Sequence, residues 1–142
     1  MRSSTMRSMI AAAALAVAAG TASAQTYNAE IPMKFRAGST MMLPGSYAVR
    51  VSPGITGIPQ IFVRNLDNQK EIILVPSTGK DAPKAWRDAG KPVFAFECVE
   101  GRCLLRSMWT GADLATYRFP GSLTPHEDGK VAVMLVTLSH AD

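Results

Sequence analysis

The segment Phe94–Trp109 reads Phe-Ala-Phe-Glu-Cys-Val-Glu-Gly-Arg-Cys-Leu-Leu-Arg-Ser-Met-Trp, two strand-like runs around the dipeptide Glu100-Gly101. A two-residue loop at this dipeptide lets the glycine take a positive φ and places Cys98 opposite Cys103. The pair next to the one that closes such a loop is not hydrogen-bonded, so its Cα atoms lie about 4.5 Å apart. Because a disulfide tolerates that distance, the segment predicts a β-hairpin closed by a Cys98–Cys103 disulfide.

The same register predicts further cross-strand neighbours: Phe96 opposite Leu105 and Phe94 opposite Ser107 on the cysteine face, and Glu97 diagonal to Arg106 on the other face. The disulfide is expected to be structural and to stabilise the fold by roughly 2 kcal/mol. A redox-active pair is the first alternative, although such pairs usually have two intervening residues near a helix start. A Cys₂His₂ zinc site that recruits His126 and His140 is the second.

The rest of the chain shows short runs rich in Val, Ile, Phe and Tyr, separated by Gly, Pro, Asn and Asp about every ten residues. This pattern is typical of all-β proteins and predicts a single small antiparallel barrel or sandwich of about seven to eight strands. The predicted strands are Glu30–Arg36, Tyr47–Ser52, Gln60–Leu66, Glu71–Val75, Pro92–Cys98, Cys103–Trp109, Ala115–Phe119 and Val131–Leu138.

The connection from Ser77 to Lys91 is long for a structureless loop and predicts one or two helical turns. Asp81 is expected to cap the helix, Gly90 to end it in the left-handed conformation, and Trp86 to pack back on the sheet. Alternatively, this connection is a basic aromatic loop that binds a polyanion through Lys80, Lys84, Trp86, Arg87 and Lys91.

Two runs, Ile72–Val75 and Val131–Val136, are apolar without alternation. Strands of this kind are usually covered on both faces, so we expect both runs to be central or to lie beneath a loop. If one of them is instead an exposed edge, it becomes a surface that recruits another chain.

Residues 1–24 have the pattern of a cleaved export leader: Arg2 and Arg7, an apolar run from Met9 to Ala19, then Ala22-Ser-Ala24. We expect a signal peptide at 1–24 and a single β-domain at 25–142, exported to the periplasm or outside the cell. The apolar run is about half the roughly 20 residues of a spanning helix, so no integral membrane segment is expected after cleavage.

Cleavage also changes the charge of the protein. The leader holds two of the 15 basic residues and none of the 11 acidic ones, so the net charge falls from +4 to +2. Without a basic run, this small positive charge argues against nucleic acid as a partner.

Catalytic motifs of the common kinds are missing from the sequence, which contains two histidines in all. We therefore expect no enzymatic activity, no cofactor and no metal. The candidate ligand or partner contacts are Trp86, Trp109, Tyr117, Arg118 and His126. A small hydrolase-type enzyme that uses the His126/Glu127/Asp128 region is the alternative from another functional class.

Four stretches of the chain form a scattered pattern: Ile31–Gly38, which begins Ile-Pro-Met-Lys-Phe, the turn Leu43-Pro-Gly-Ser-Tyr47, the run Ile61–Asn65 and the hairpin that ends in Trp109. Together they resemble a group of small exported bacterial β-proteins of unknown function. That group typically shows an Ile-Pro-Phe-x-Phe opening, a Leu-Pro-Ala-Gly-x-Tyr turn and a hairpin ending in Trp. This chain lacks the alanine of the turn and adds the two cysteines. The resemblance implies a small antiparallel β-domain and supplies no catalytic residue.

Taken together, the sequence favours an exported, non-enzymatic β-domain that acts as a binding or interaction module at the cell envelope. Its partner is an envelope protein or a small ligand that the sequence leaves unidentified. A self-assembling structural subunit, joined through an exposed apolar strand such as Val131–Leu138, is a further alternative.

Overall fold

The structure is a computed structural model that describes residues 25–54, 57–111, 115–123 and 130–141. The described residues form one short helix and twelve strands, more than the seven to eight predicted, and they confirm the predicted all-β class with little helix. In chain order they are β1 (Gln25–Ile31), β2 (Phe35–Ala37), β3 (Thr40–Met42), β4 (Gly45–Ser52), β5 (Gln60–Asn65), β6 (Glu71–Leu74), β7 (Ser77–Asp81), α1 (Lys84–Ala89), β8 (Val93–Val99), β9 (Arg102–Trp109), β10 (Ala115–Arg118), β11 (Ala132–Thr137) and β12 (Ser139–His140). The predicted leader, residues 1–24, lies outside the described residues.

These strands form two sheets. The first sheet has the order β12-β1-β4-β5-β6, and the second has the order β11-β8-β9-β10-β7. Neighbouring strands are antiparallel, except that β2 runs parallel to β9 where Arg36 meets Leu104. Strands β2 and β3 belong to the second sheet, so the chain crosses between the sheets four times: between β1 and β2, between β3 and β4, and at the two edges between β6 and β7 and between β11 and β12. The architecture is therefore a two-sheet sandwich and not a closed barrel.

One core fills the space between the sheets, because alternate residues of most strands point inward. In β1, for example, Tyr27, Ala29 and Ile31 are buried while their neighbours are wholly or partly exposed. Aromatic rings join the second sheet to the first: Phe35 packs edge-on against Phe96 at 5.3 Å and against Tyr47 at 5.4 Å between ring centroids. The two sheets thus share a single hydrophobic core.

The hairpin of β8 and β9 confirms the predicted loop and cysteine register. Glu100 and Gly101 both have positive φ, 52° and 78°, as a two-residue hairpin turn of the primed type requires. Cys98 opposes Cys103 with their Cα atoms 4.1 Å apart, and the two form a disulfide. Phe96 opposes Leu105, also as predicted.

The predicted pairing of Phe94 with Ser107 is wrong. A β-bulge interrupts the ladder between Ala95 and Phe96, so Ser107 opposes Ala95 and Phe94 opposes Met108. The extra residue in β9 is Arg106, whose Nε atom lies 2.9 Å from Glu97 Oε1, as the predicted diagonal contact requires. The bulge turns the fully buried side chain of Met108 into the core.

The long connection contains the predicted helical turn and one strand that the sequence did not indicate. Strand β7 pairs with β10, and Asp81 is its last residue, opposite Ala115. The prediction that Asp81 caps the helix is wrong, since Pro83 holds the cap position without a side-chain hydrogen bond. Gly90 ends α1 in the left-handed conformation, as predicted. Trp86 packs back on the second sheet beside the buried residues Ala82, Val93 and Trp109.

Replacing both Cys98 and Cys103 with serine is expected to lower the free energy of unfolding by roughly 2 kcal/mol, because the unfolded chain regains the entropy of a short closed loop. Urea denaturation of residues 25–142, followed by circular dichroism, measures this loss. Wild-type protein unfolded in the presence of a reductant is the control and should behave like the double variant. Equal stability of the oxidised wild type and the variant would contradict a stabilising role for the bond.

Candidate functional site

Strand β11 is an exposed edge of the second sheet. It pairs along its whole length with β8, and no described strand pairs with its other side. Val133, Met134 and Leu135 are 63%, 40% and 47% exposed. The expectation that both faces of Val131–Val136 are covered is therefore wrong, because Val133 and Leu135 remain exposed on the same face of the strand. The structure matches the second expectation, an apolar strand at an unpaired edge.

The two faces of β11 differ in what lies next to them. Met134 opposes Phe96 and Val136 opposes Phe94, so these two side chains point toward the core. Val136 reaches the core and is 9% exposed, whereas Met134 stays at its margin. Val133 and Leu135 point to the outer face of the sheet, where Leu135 opposes the buried Ala95. An incoming strand would thus meet apolar side chains on both of its faces.

A groove of about 420 Å³ runs along this edge, between β11 and β1 of the other sheet. One wall is formed by residues 135–137, and the other by residues 28–30 with Pro32. Glu30 supplies the acidic group of this lining and accepts a hydrogen bond from the Ser46 hydroxyl at 2.6 Å. We refer to β11 together with this groove as the β11 edge.

The second run without alternation, Ile72–Val75, also lies at an edge and not under cover. Strand β6 ends the first sheet, and Ile73 and Val75 are both more than half exposed. Unlike β11, this edge is four residues long and begins with the charged Glu71. A short edge that carries a charge is a usual protection against pairing, so β6 is the weaker candidate.

The structure does not bring the predicted contact residues together in one site. Trp109 is 3% exposed, and Trp86 is half-buried against it, so both act in packing. Tyr117 packs against the main core, whereas Arg118, its neighbour in β10, points to the other face of the sheet and is exposed. His126, with Glu127 and Asp128, lies outside the described residues, so the enzyme hypothesis for that region remains a prediction.

The cysteines, His140, Lys84 and Arg87 all make contacts within the fold. Both cysteine sulfurs belong to the disulfide, which excludes the Cys₂His₂ zinc site, and the ring of His140 packs against that of Tyr27 at 4.9 Å. In the helical connection, Lys84 pairs with Asp88 at 2.8 Å and Arg87 Nε donates to the Ala82 carbonyl. Within the ranges that the structure describes, no group of three or more His, Cys, Asp or Glu could hold a metal ion.

Two core tyrosines have perturbed ionisation. Burial raises the pKa of Tyr27, with a smaller contribution from the nearby Tyr117. Burial also raises the pKa of Tyr47, whose hydroxyl donates to the Leu43 carbonyl oxygen. Both phenols stay protonated at neutral pH, as packing groups with a satisfied hydrogen bond do.

The described part of the chain contains no helix that is long and apolar enough to span a membrane. Comparisons with protein-family models, with functionally characterised proteins and with solved structures find no match to this chain.

Proposed function

We propose that this chain is an exported, non-enzymatic interaction module of the cell envelope and that the β11 edge is its interaction surface. In this proposal residues 1–24 are removed on export, and residues 25–142 act in the periplasm or outside the cell. The Cys98–Cys103 disulfide supports an oxidising compartment. The observation that carries the proposal is that β11 lies unpaired at the sheet edge with three exposed apolar side chains.

The composition of β11 makes it an unusual edge. Edge strands of monomers are normally protected by charges, prolines, bulges or short length, because their free N–H and C=O groups can pair with another strand. Ala132–Thr137 is six residues long, contains no charge and no proline, and pairs with β8 without a bulge. Strand addition would satisfy its outer backbone groups and cover Val133 and Leu135 at the same time.

The occupant that we propose is a second copy of this chain. Two antiparallel β11 strands related by a two-fold axis present the same surface to each other, and neither contributes a charge within the strand. Antiparallel pairing also places Lys130, just before β11, near the C-terminal end of the other copy's strand. Glu30 lines the groove at that end, so the flanking charges are complementary across the pair.

Substitution of Leu135 by lysine is expected to weaken self-association of residues 25–142 at least tenfold, because it places a charge in the strand–strand contact. Analytical ultracentrifugation over a range of concentrations measures the dissociation constant. Ile73→Lys is the matched control, since Ile73 is an equally exposed apolar residue on the other sheet's edge strand, and it should leave association unchanged. A wild-type protein that stays monomeric at high concentration would overturn the second copy as occupant.

The flanking charges provide an internal check of the same arrangement. Lys130→Glu should weaken the dimer by placing like charges near each other, and Glu30→Lys in the same chain should restore it. Loss of association in the single variant without recovery in the double variant would exclude the antiparallel arrangement.

A further inference from the structure

A cavity of about 400 Å³ lies beside the disulfide, at the end of the second sheet where the β8–β9 hairpin turns. Among the described residues, its lining contains three cationic ones, Lys34, Arg36 and Arg102, and no acidic one. The rest of the lining is mainly apolar and includes Met41, Leu123 and the disulfide residue Cys103. We call this cavity the basic pocket. None of its described lining residues belongs to the groove of the β11 edge.

The topology of the sheet explains why cations distant in sequence meet here. The parallel contact of β2 with β9 places Arg36 beside Leu104, and therefore brings residues 34–36 next to residues 102–103. The β2–β3 hairpin then places Met41 directly opposite Arg36. Lys70 adds a further cation close by, since its Nζ atom donates to the Met41 carbonyl oxygen at 3.1 Å.

Arg36 is the best-fixed cation of the three. Its side chain is half-buried, and Nη2 donates to the Ser122 carbonyl oxygen at 2.7 Å. Its Nε atom is buried and meets no hydrogen-bond acceptor within the described ranges. A guanidinium held in this way loses little freedom when it binds an anion, and its planar donors suit a carboxylate or a phosphate.

Arg102 and Lys34 stand nearer to solvent. The Nη2 atom of Arg102 lies 3.8 Å from a carboxylate oxygen of Glu100. Both side chains of that ion pair are more than one third exposed, so water screens their attraction. Lys34 is exposed.

We propose that the basic pocket binds an anionic amphiphile. Its carboxylate or phosphate would lie among Lys34, Arg36 and Arg102, and its aliphatic part would lie on Met41, Leu123 and the disulfide. The volume falls within the range of small-ligand sites, which combine a mostly apolar lining with a few polar groups. The predicted mature chain carries a net charge of +2, so three cations around one cavity concentrate positive potential there.

Isothermal titration of residues 25–142 with decyl phosphate tests the proposal. We expect saturable binding that weakens as salt is added, at least tenfold weaker binding after Lys34→Glu, and weaker binding of inorganic phosphate than of decyl phosphate. Lys91→Glu is the matched control, because it makes the same charge change at the opposite end of β8 and should leave binding unchanged. Arg36→Lys, which keeps the charge but loses the planar donors, should also weaken binding.

Two outcomes would overturn the proposal. The first is equal binding of decyltrimethylammonium, which would show that the pocket does not select an anion. The second is decyl phosphate binding that Lys34→Glu leaves unchanged. Vesicles of phosphatidylglycerol distinguish a membrane lipid from a free anionic amphiphile as the ligand. Binding to vesicles that depends on Lys34 supports a membrane lipid. Binding of monomeric decyl phosphate that depends on Lys34, without binding to vesicles, supports a free amphiphile. The Leu135→Lys variant should bind decyl phosphate normally, so this result is independent of the β11 edge.

Discussion

Replacing Phe96 with alanine is expected to lower the free energy of unfolding by about 3–5 kcal/mol, because a fully buried aromatic side chain leaves a cavity that its neighbours fill only in part. Phe96 packs edge-on against Phe35 at 5.3 Å and against Phe94 at 6.1 Å between ring centroids. Phe35 in turn contacts Tyr47 in the other sheet. The substitution thus removes the ring through which the disulfide hairpin packs against Phe35, and Phe35 is the ring that contacts Tyr47 in the other sheet.

Urea denaturation of the oxidised residues 25–142 measures this effect. A loss of 3–5 kcal/mol is a large part of the roughly 5–15 kcal/mol that keeps a domain folded, so the variant should unfold at much lower urea or fail to fold. Phe96→Leu is the matched control and should lose less than about 1.5 kcal/mol, since it keeps most of the volume. A similar loss for leucine and alanine would mean that ring volume does not determine stability at this position.

The hairpin shows which parts of the fold could be predicted from the sequence. The turn at Glu100-Gly101 and the pairing of Cys98 with Cys103 depend on residues within six positions of each other, and the structure confirms both. The pairing of Phe94 depends on a bulge at Arg106. Arg106 makes its contacts with Glu97 and with the carbonyl oxygens of Phe119 and Gly121, some of them distant in sequence. A local pattern of strand residues carries no information about such contacts.

The two apolar runs illustrate a different limit. A strand without alternation looks the same in sequence whether it is covered on both faces or lies at an edge with its apolar residues exposed. The position of a strand in its sheet is set by pairing with distant segments: β11 pairs with β8, and β6 pairs with β5. The sequence therefore identified both strands, and of its two expectations for their position the structure supports the second, an exposed edge.

The polar strand β7 and the basic pocket depend on long-range pairing to an even greater degree. Ser77–Asp81 has no apolar pattern and becomes a strand through its ladder with β10, where the Thr116 hydroxyl donates to the Lys80 carbonyl. Lys34 and Arg102 line the same pocket because β2 lies beside β9. The signal that could have suggested the pocket is the alternation of Lys34 and Arg36 around a buried Phe35, which predicts two cations on one face.

Replacing Asn65 with leucine is expected to lower the free energy of unfolding by about 2–4 kcal/mol, because two backbone amides of the β5–β6 turn would lose their acceptor. Asn65 is 1% exposed, and its Oδ1 atom accepts hydrogen bonds from the amides of Asp67 at 2.8 Å and Asn68 at 3.0 Å. Leucine has a similar size but no acceptor. The turn amides would then remain partly buried without a partner.

Asn68→Leu is the matched control for this prediction. The Asn68 side chain makes a bond of the same kind, in which Oδ1 accepts from the Lys70 amide at 2.8 Å, but Asn68 is exposed. Water can replace that bond, so the control should lose less than about 1 kcal/mol in the same urea titration. Equal losses for the two variants would show that the bond and not its burial determines the effect. A larger loss at Asn65 would show that the end of β5 is fixed by a polar side chain inside the sandwich.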